Sequence, residues 1–132
     1  MGMAVCTAVF RQSGITVFAG FIKTKRPSFA AIAEKYADRI IVTSDNSRNE
    51  DTKDIISDII RGFKEKSYEI CEDRGRAIYE AIITAEDGSV IAIIGKGAEK
   101  YNIDKEGYHP FDEKKIVHSA LKQRSDEYAD KA

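Results

Sequence analysis

Two polar loops carry the residues whose types and spacing invite chemistry. The first follows residues 39–43 (RIIVT) and holds Asp45, Asn46 and Arg48, within the run YADRIIVTSDNSRNED. The second, GKGAE at residues 95–99, follows residues 89–94 (SVIAII). Each begins where a β-branched strand ends, and ligands of α/β sheets bind beyond the carboxyl ends of the strands. A guanidinium at Arg48 and a carboxylate at Glu99 suit a zwitterion, one for its carboxylate and one for its ammonium. Taken singly, both loops have plainer readings. Asp45, Asn46 and Ser47 favour a solvated turn, and Gly95 and Gly97 suit a tight strand exit.

Other chemistries find no footing. A phosphate loop needs a glycine five positions before Gly95, where Val90 stands, and no Ser or Thr follows Lys96. No G-x-G-x-x-G follows a strand. No self-sufficient triphosphate or dinucleotide site is expected, and no cofactor in this chain. Cys6 and Cys71 lack a C-x-x-C or Cys/His setting, which argues against zinc. His109 and His118 stand alone and are expected to be neither ligands nor bases. No Ser/His/Asp or Cys/His set is visible, so no catalytic residue and no metal ligand is assigned.

The elements that must position the loops alternate between strand and helix. Strands are expected at residues 15–19 (ITVFA), 39–43, 68–71 and 89–94. Pro27 opens a helix with Phe29, Ile32, Ala33 and Tyr36 as its apolar stripe. Asp51 or Thr52 caps the next, which buries Ile55, Ile56, Ile59, Ile60 and Phe63. Asp73 caps a third over Ala77, Ile78, Ala81, Ile82 and Ala85. Residues 101–111 read as a hairpin or irregular segment. Asp112 caps a last helix over Ile116, Val117 and Ala120, and the polar tail from Gln123 to Ala132 is expected to fray. The pattern implies an α/β, three-layer, Rossmann-like domain: a mostly parallel sheet of about five or six strands with helices on both faces.

Composition bounds the rest. The 132 residues suffice for one domain, and 42% apolar with 33% charged residues suits a globular chain. A net charge of −1 gives no reason to expect nucleic acid or an anionic membrane surface as partner. The one basic cluster, Lys23, Lys25 and Arg26, reads as a solvated loop before Pro27. No apolar run approaches the ~20 residues of a membrane span. Residues 4–10 are apolar but short, with no basic segment before them, so no signal peptide is expected. Reduced thiols and a cytoplasmic location are the default.

The run KTKRPSFAAIAEKYADRIIVTSDNSRNEDTKDIISDIIRGF, followed in order by EDRGRAIYEAI, IAIIGKGAEKYNI and FDEKKIV, resembles the C-terminal domain of the Mur ligases. More narrowly, it resembles the UDP-N-acetylmuramoyl-tripeptide synthetases. The resemblance implies a domain that holds the incoming amino acid and closes over an ATP-binding domain. There, ATP and Mg2+ activate a carboxylate of the UDP-linked peptidoglycan precursor, and the amino acid's amine attacks the acyl phosphate. In members that add meso-diaminopimelate the recognition motif is D-N-P-R, matched here by Asp45-Asn46-Ser47-Arg48. Arg48 matches the arginine that engages the distal carboxylate. Gly95 and Glu99 match the glycine and glutamate of the family's G-K-G-H-E loop. Lys23 is carried over as a phosphate or nucleotide contact.

Departures accompany the match. Residues 19–27 (AGFIKTKRP) stand where the family has a longer loop ending D-K-x-K-R-P, and its arginine and both aspartates are missing. Ser47 replaces the motif proline, and Ala98 the histidine. The expectation is one Mur ligase C-terminal-like domain over residues 1–132, without the UDP-binding and ATP-binding domains. It would be a free-standing or excised domain that binds meso-diaminopimelate and is inactive alone, catalysis requiring those domains, whether on another chain or cut away from this one. The alternative is a decoupled, non-catalytic module for a small amino acid or anion.

Overall fold

The protein, seen in a computed structural model, is described for residues 4–11, 26–65, 68–95 and 99–131. The strand expected at residues 15–19 lies outside these, as do Lys23, Gly97 and Ala98.

The first described element is β1 (Ala4–Arg11), followed by α1 (Arg26–Tyr36), β2 (Arg39–Ser44), α2 (Thr52–Ile60) and β3 (Glu69–Cys71). Then come α3 (Arg74–Thr84), β4 (Ser89–Ala92), the hairpin of β5 (Tyr101–Asp104) and β6 (Gly107–Pro110), and α4 (Glu113–Lys131). The main sheet has four strands in the order β3-β2-β1-β4, and the hairpin stands apart from it. β2 and β3 pair in parallel. β1 runs antiparallel to both of its neighbours, β2 and β4. Three strands therefore share a direction and one opposes them, which departs from the expected mostly parallel pairing. The apolar run at residues 4–10, which carries no other sequence signal, supplies that central opposing strand. The expected five or six strands are four in this sheet among the described residues.

Helices cover both faces, as expected. Side chains alternate across a strand, so β2 points Ile40 and Val42 one way and Ile41 the other. Ile40 and Val42 pack with Ala30, Ala33 and Ala37 around α1 and with Ile55, Ile56 and Ile59 of α2. Ile41 packs with Ala77 and Ala81 of α3. Ile78 and Ile82, further round α3, meet Ala120, Ile116 and Val117 of α4. Asp51 and Asp73 cap α2 and α3, accepting from the amides of Lys53 and Arg76. Asp112 accepts from the amide of Lys115 at the start of α4.

Two expectations about helices fail. The buried line of α1 is Arg26, Ala30 and Ala33, while Ile32 and Tyr36 are 53% and 54% exposed. Small side chains win this face because the helix lies close to its neighbours. A Cβ on Gly62, at the end of α2, would sit 2.0 Å from the Pro27 carbonyl oxygen. The tail after Gln123 does not fray: α4 runs to Lys131. Arg124 donates to the carbonyls of Ile82 and Ile83 at 2.8 and 3.3 Å, capping the end of α3, and to Asp87 at 2.8 Å. Tyr128 also bonds Asp87. Those two bonds, Tyr128's first, hold the Asp87 carboxyl below its ordinary range.

Candidate functional site

Register decides where the two loops meet. Ala4 of β1 faces Ser44, and Ala8 faces Ala92. The carboxyl ends of β2 and β4 therefore lie at the same end of the sheet, flanking β1. The chain goes outward from β2 to β3 by way of α2, then returns to β4 by way of α3 on the opposite face. Such a reversal of strand order is where α/β sheets open a crevice.

At the end of β2 the chain turns through Asp45, Asn46, Ser47 and Arg48, and the Glu50 amide closes the turn on the Ser47 carbonyl at 3.0 Å. The turn is not solvated as its composition suggests. Asp45, Asn46 and Ser47 are 6%, 6% and 5% exposed. Asn46 is the hub. Its Nδ2 donates to Glu99 Oε2 at 2.9 Å, and its Oδ1 accepts from the Ile103 amide at 2.9 Å. The Arg48 amide donates to the Ile103 carbonyl at 3.1 Å. One asparagine side chain and one residue of β5 thus stitch the two loops together.

Asn46 and Glu99 are therefore in direct contact, and Arg48 is two residues along the same turn with its side chain exposed. Gly95 lies beyond β4 at that end of the sheet with φ of 122°, a conformation that excludes side chains. Arg48 itself has φ of 53° and is the one non-glycine residue with positive φ among those described. The left-handed conformation costs an arginine about 1–2 kcal/mol. Strain of this kind collects at functional positions.

Two buried arginines hold the ends of this turn. Arg74, 2% exposed at the start of α3, lies 3.5 Å by Nη1 from the Ser44 carbonyl and donates through Nε to Glu113 at 2.8 Å. Arg26 is 0% exposed, which corrects its reading as part of a solvated basic loop. Its Nη1 and Nη2 bond the two oxygens of Glu50, each at 2.9 Å. Nη1 also reaches Asp58 Oδ2 at 2.9 Å. The bond to Glu50 leads the forces that raise its pKa further above the usual guanidinium value. No local pattern announces this residue, because its partners stand 24 and 32 positions away.

His109 is not isolated either. The hairpin brings its Nε2 to 2.9 Å from Asp104 Oδ1, and that contact holds the Asp104 carboxyl below its ordinary range. Asp104, Glu106 and His109 place potential metal-binding atoms within 4.8 Å of one another. Asp104 already accepts the Glu106 amide at 2.8 Å, which suits a hairpin turn as well as a ligand set. Cys71 is a free thiol, and burial foremost pushes it up, away from the thiolate that nucleophilic chemistry needs.

The chain is similar to known proteins over most of its length. Residues 2–97 match the family model described as "Mur ligase, glutamate ligase domain". The UDP-N-acetylmuramoyl-L-alanyl-D-glutamate–2,6-diaminopimelate ligase of Aquifex aeolicus is 45% identical over 100 residues, covering 75% of this chain and 21% of that protein. The ligase of the same name from Bacillus cereus is 42% identical over 102 residues, 77% of this chain and 21% of its own length. That of Helicobacter pylori is 40% identical over 121 residues, 88% and 27%. A solved structure of a ligase of this name superposes with a TM-score of 0.72 at 32% identity, over 79% of this chain and 22% of that one. The chain thus spans about a fifth of the length of relatives such as these. A matched stretch of this extent, on a Rossmann-like α/β fold, makes the chain a member of the Mur ligase family, in its glutamate ligase domain.

Proposed function

We propose that this chain is the amino-acid-binding C-terminal domain of a ligase that adds meso-diaminopimelate to the UDP-linked peptidoglycan precursor. The observation that carries the reading is the Asn46–Glu99 bond, which joins the two loops beside the strained Arg48. Arg48 would pair with the distal carboxylate of diaminopimelate. Asn46 holds one oxygen of Glu99, leaving the other for the distal ammonium. Asp45 and Gly95 would shape the two ends of the site. Lysine carries the ammonium but lacks the carboxylate, so the exposed Arg48 guanidinium would gain no charge-assisted partner from it.

Catalysis is not assigned to this chain alone. ATP and Mg2+ belong, in this reading, to the rest of the ligase. The described residues do not fit a triphosphate: Glu99 puts a carboxylate beside the strand exit, and Val90 replaces the glycine of a phosphate loop. Lys23 remains the candidate contact to a nucleotide held by the other domains. The partners are meso-diaminopimelate and those domains, in the cytoplasm, with neither nucleic acid nor membrane. No helix among the described residues is long and apolar enough to cross a membrane.

Titration of the isotope-labelled chain by NMR tests the proposal. Meso-diaminopimelate should shift the amides of residues 45–48 and 95–99 with a Kd of about a millimolar, −4 kcal/mol. L-lysine should bind more weakly, and Arg48→Ala should erase the difference. Equal response to both ligands would remove diaminopimelate. No response to either would favour the decoupled module that the shortened loop at residues 19–27 suggests.

A further inference from the structure

We infer that Arg26 is a positioning residue for Arg48: it grips Glu50, two residues further on, and so holds the recognition turn in its left-handed conformation. The inference rests on the proposed diaminopimelate reading for its ligand but not for its geometry.

Arg26 has two carboxylate partners with separate jobs. Asp58 lies on α2, and its bond to Arg26 at 2.9 Å ties α1 to α2. Asp58 also meets Arg61, three residues along, at 3.2 Å. Glu50 belongs to neither helix. It lies in the turn between β2 and α2, with its side chain 32% exposed, yet it takes both terminal nitrogens of a guanidinium that has none of its own surface exposed. A bidentate pair fixes direction as well as distance. The turn is then held on two sides of Arg48. The Arg48 amide is bonded to Ile103, and the chain just beyond it is clamped to α1 through Glu50. A turn pinned on both sides can keep an arginine at φ of 53° with its guanidinium outward. With one pin released, Arg48 is free to relax towards ordinary backbone and lose its aim.

Glu50→Gln and Asp58→Asn separate aim from packing. Each is made in the whole chain and followed by thermal unfolding, by NMR titration with meso-diaminopimelate and L-lysine, and by amide exchange at Arg48. Glu50→Gln should weaken diaminopimelate by about tenfold, leave lysine unchanged, speed exchange at the Arg48 amide and lower the melting temperature, because it leaves the buried Arg26 guanidinium short of a charge partner. Asp58→Asn should lower the melting temperature and keep the ligand ratio. A native ratio and native Arg48 protection in Glu50→Gln would overturn the inference. So would a loss in both variants that simply tracks melting temperature. If the unmutated chain does not distinguish the two ligands, the diaminopimelate reading fails and the clamp stands or falls on Arg48 exchange alone.

Discussion

At the scale of single residues, the site is built from side chains that satisfy both backbone and one another. Asn46 spends its amide oxygen on the Ile103 N–H and its amide nitrogen on Glu99. Aspartate there could not donate to Glu99 and would oppose it with like charge. Arg48 shows the converse, a side chain left exposed at the expense of its own backbone. Glycine accepts φ of 53° without the steric penalty of about 1–2 kcal/mol, less about 0.5–1 kcal/mol for its looser unfolded chain. Arg48→Gly should therefore stabilise the fold by about 0.5–1 kcal/mol in urea denaturation while abolishing ligand discrimination. A destabilised variant would mean that the turn is not strained.

At the scale of elements, the short edge strand β3 depends on a clamp at its start. Arg39 Nε and Nη2 meet the two oxygens of Glu69 at 2.6 and 3.0 Å, across the parallel β2–β3 pair. The hydrogen bond from Arg39 is the largest of the influences that hold the Glu69 carboxyl below its ordinary 4.5. A carboxyl depressed by folding adds stability that is fully present above that ordinary value and is lost as pH falls through its lowered one. Both groups are partly exposed, so the pair is worth at most about 1 kcal/mol. Glu69→Gln should cost about that much at pH 7. The gap to the native chain should close well below pH 4.5, and urea midpoints at the two extremes measure it. A gap that persists in acid would assign the loss to packing instead of charge. The caps at Asp51, Asp73 and Asp112 were legible in the sequence because capping is local. The extension of α4 to Lys131 was not, because the Arg124 bonds that hold it end on α3 and Asp87.

At the scale of the molecule, topology makes the crevice. β1 separates β2 from β4, yet both deliver their carboxyl ends to one side, and helices on opposite faces carry the chain past it. The arrangement brings Asn46 and Glu99 together at that end of the sheet, and the proposed reading leaves nucleotide chemistry to other domains. Calorimetric titration with magnesium-ATP should accordingly show no affinity in the micromolar range. Binding of that strength, about −8 kcal/mol, would refute the assignment of nucleotide chemistry to other domains.

The sequence by itself determined the helices, most of their buried faces and their caps, because helical period and N-cap chemistry act within a few residues. Ile55, Ile56 and Ile59, and Ala77, Ile78, Ala81 and Ile82, lie inside as their spacing requires. It also placed Asp45, Asn46, Arg48, Gly95 and Glu99 on two strand exits. Only the tertiary structure decided that Asn46 would hold Glu99, that Arg48 would turn left-handed and that Arg26 would be buried on Glu50 and Asp58. It also made residues 4–11 a central strand opposed to its neighbours. Asn46 and Glu99 are 53 positions apart, and Arg26 and Asp58 are 32. Contacts of that span are set by where the chain returns across the sheet, which no pattern of neighbouring residues encodes.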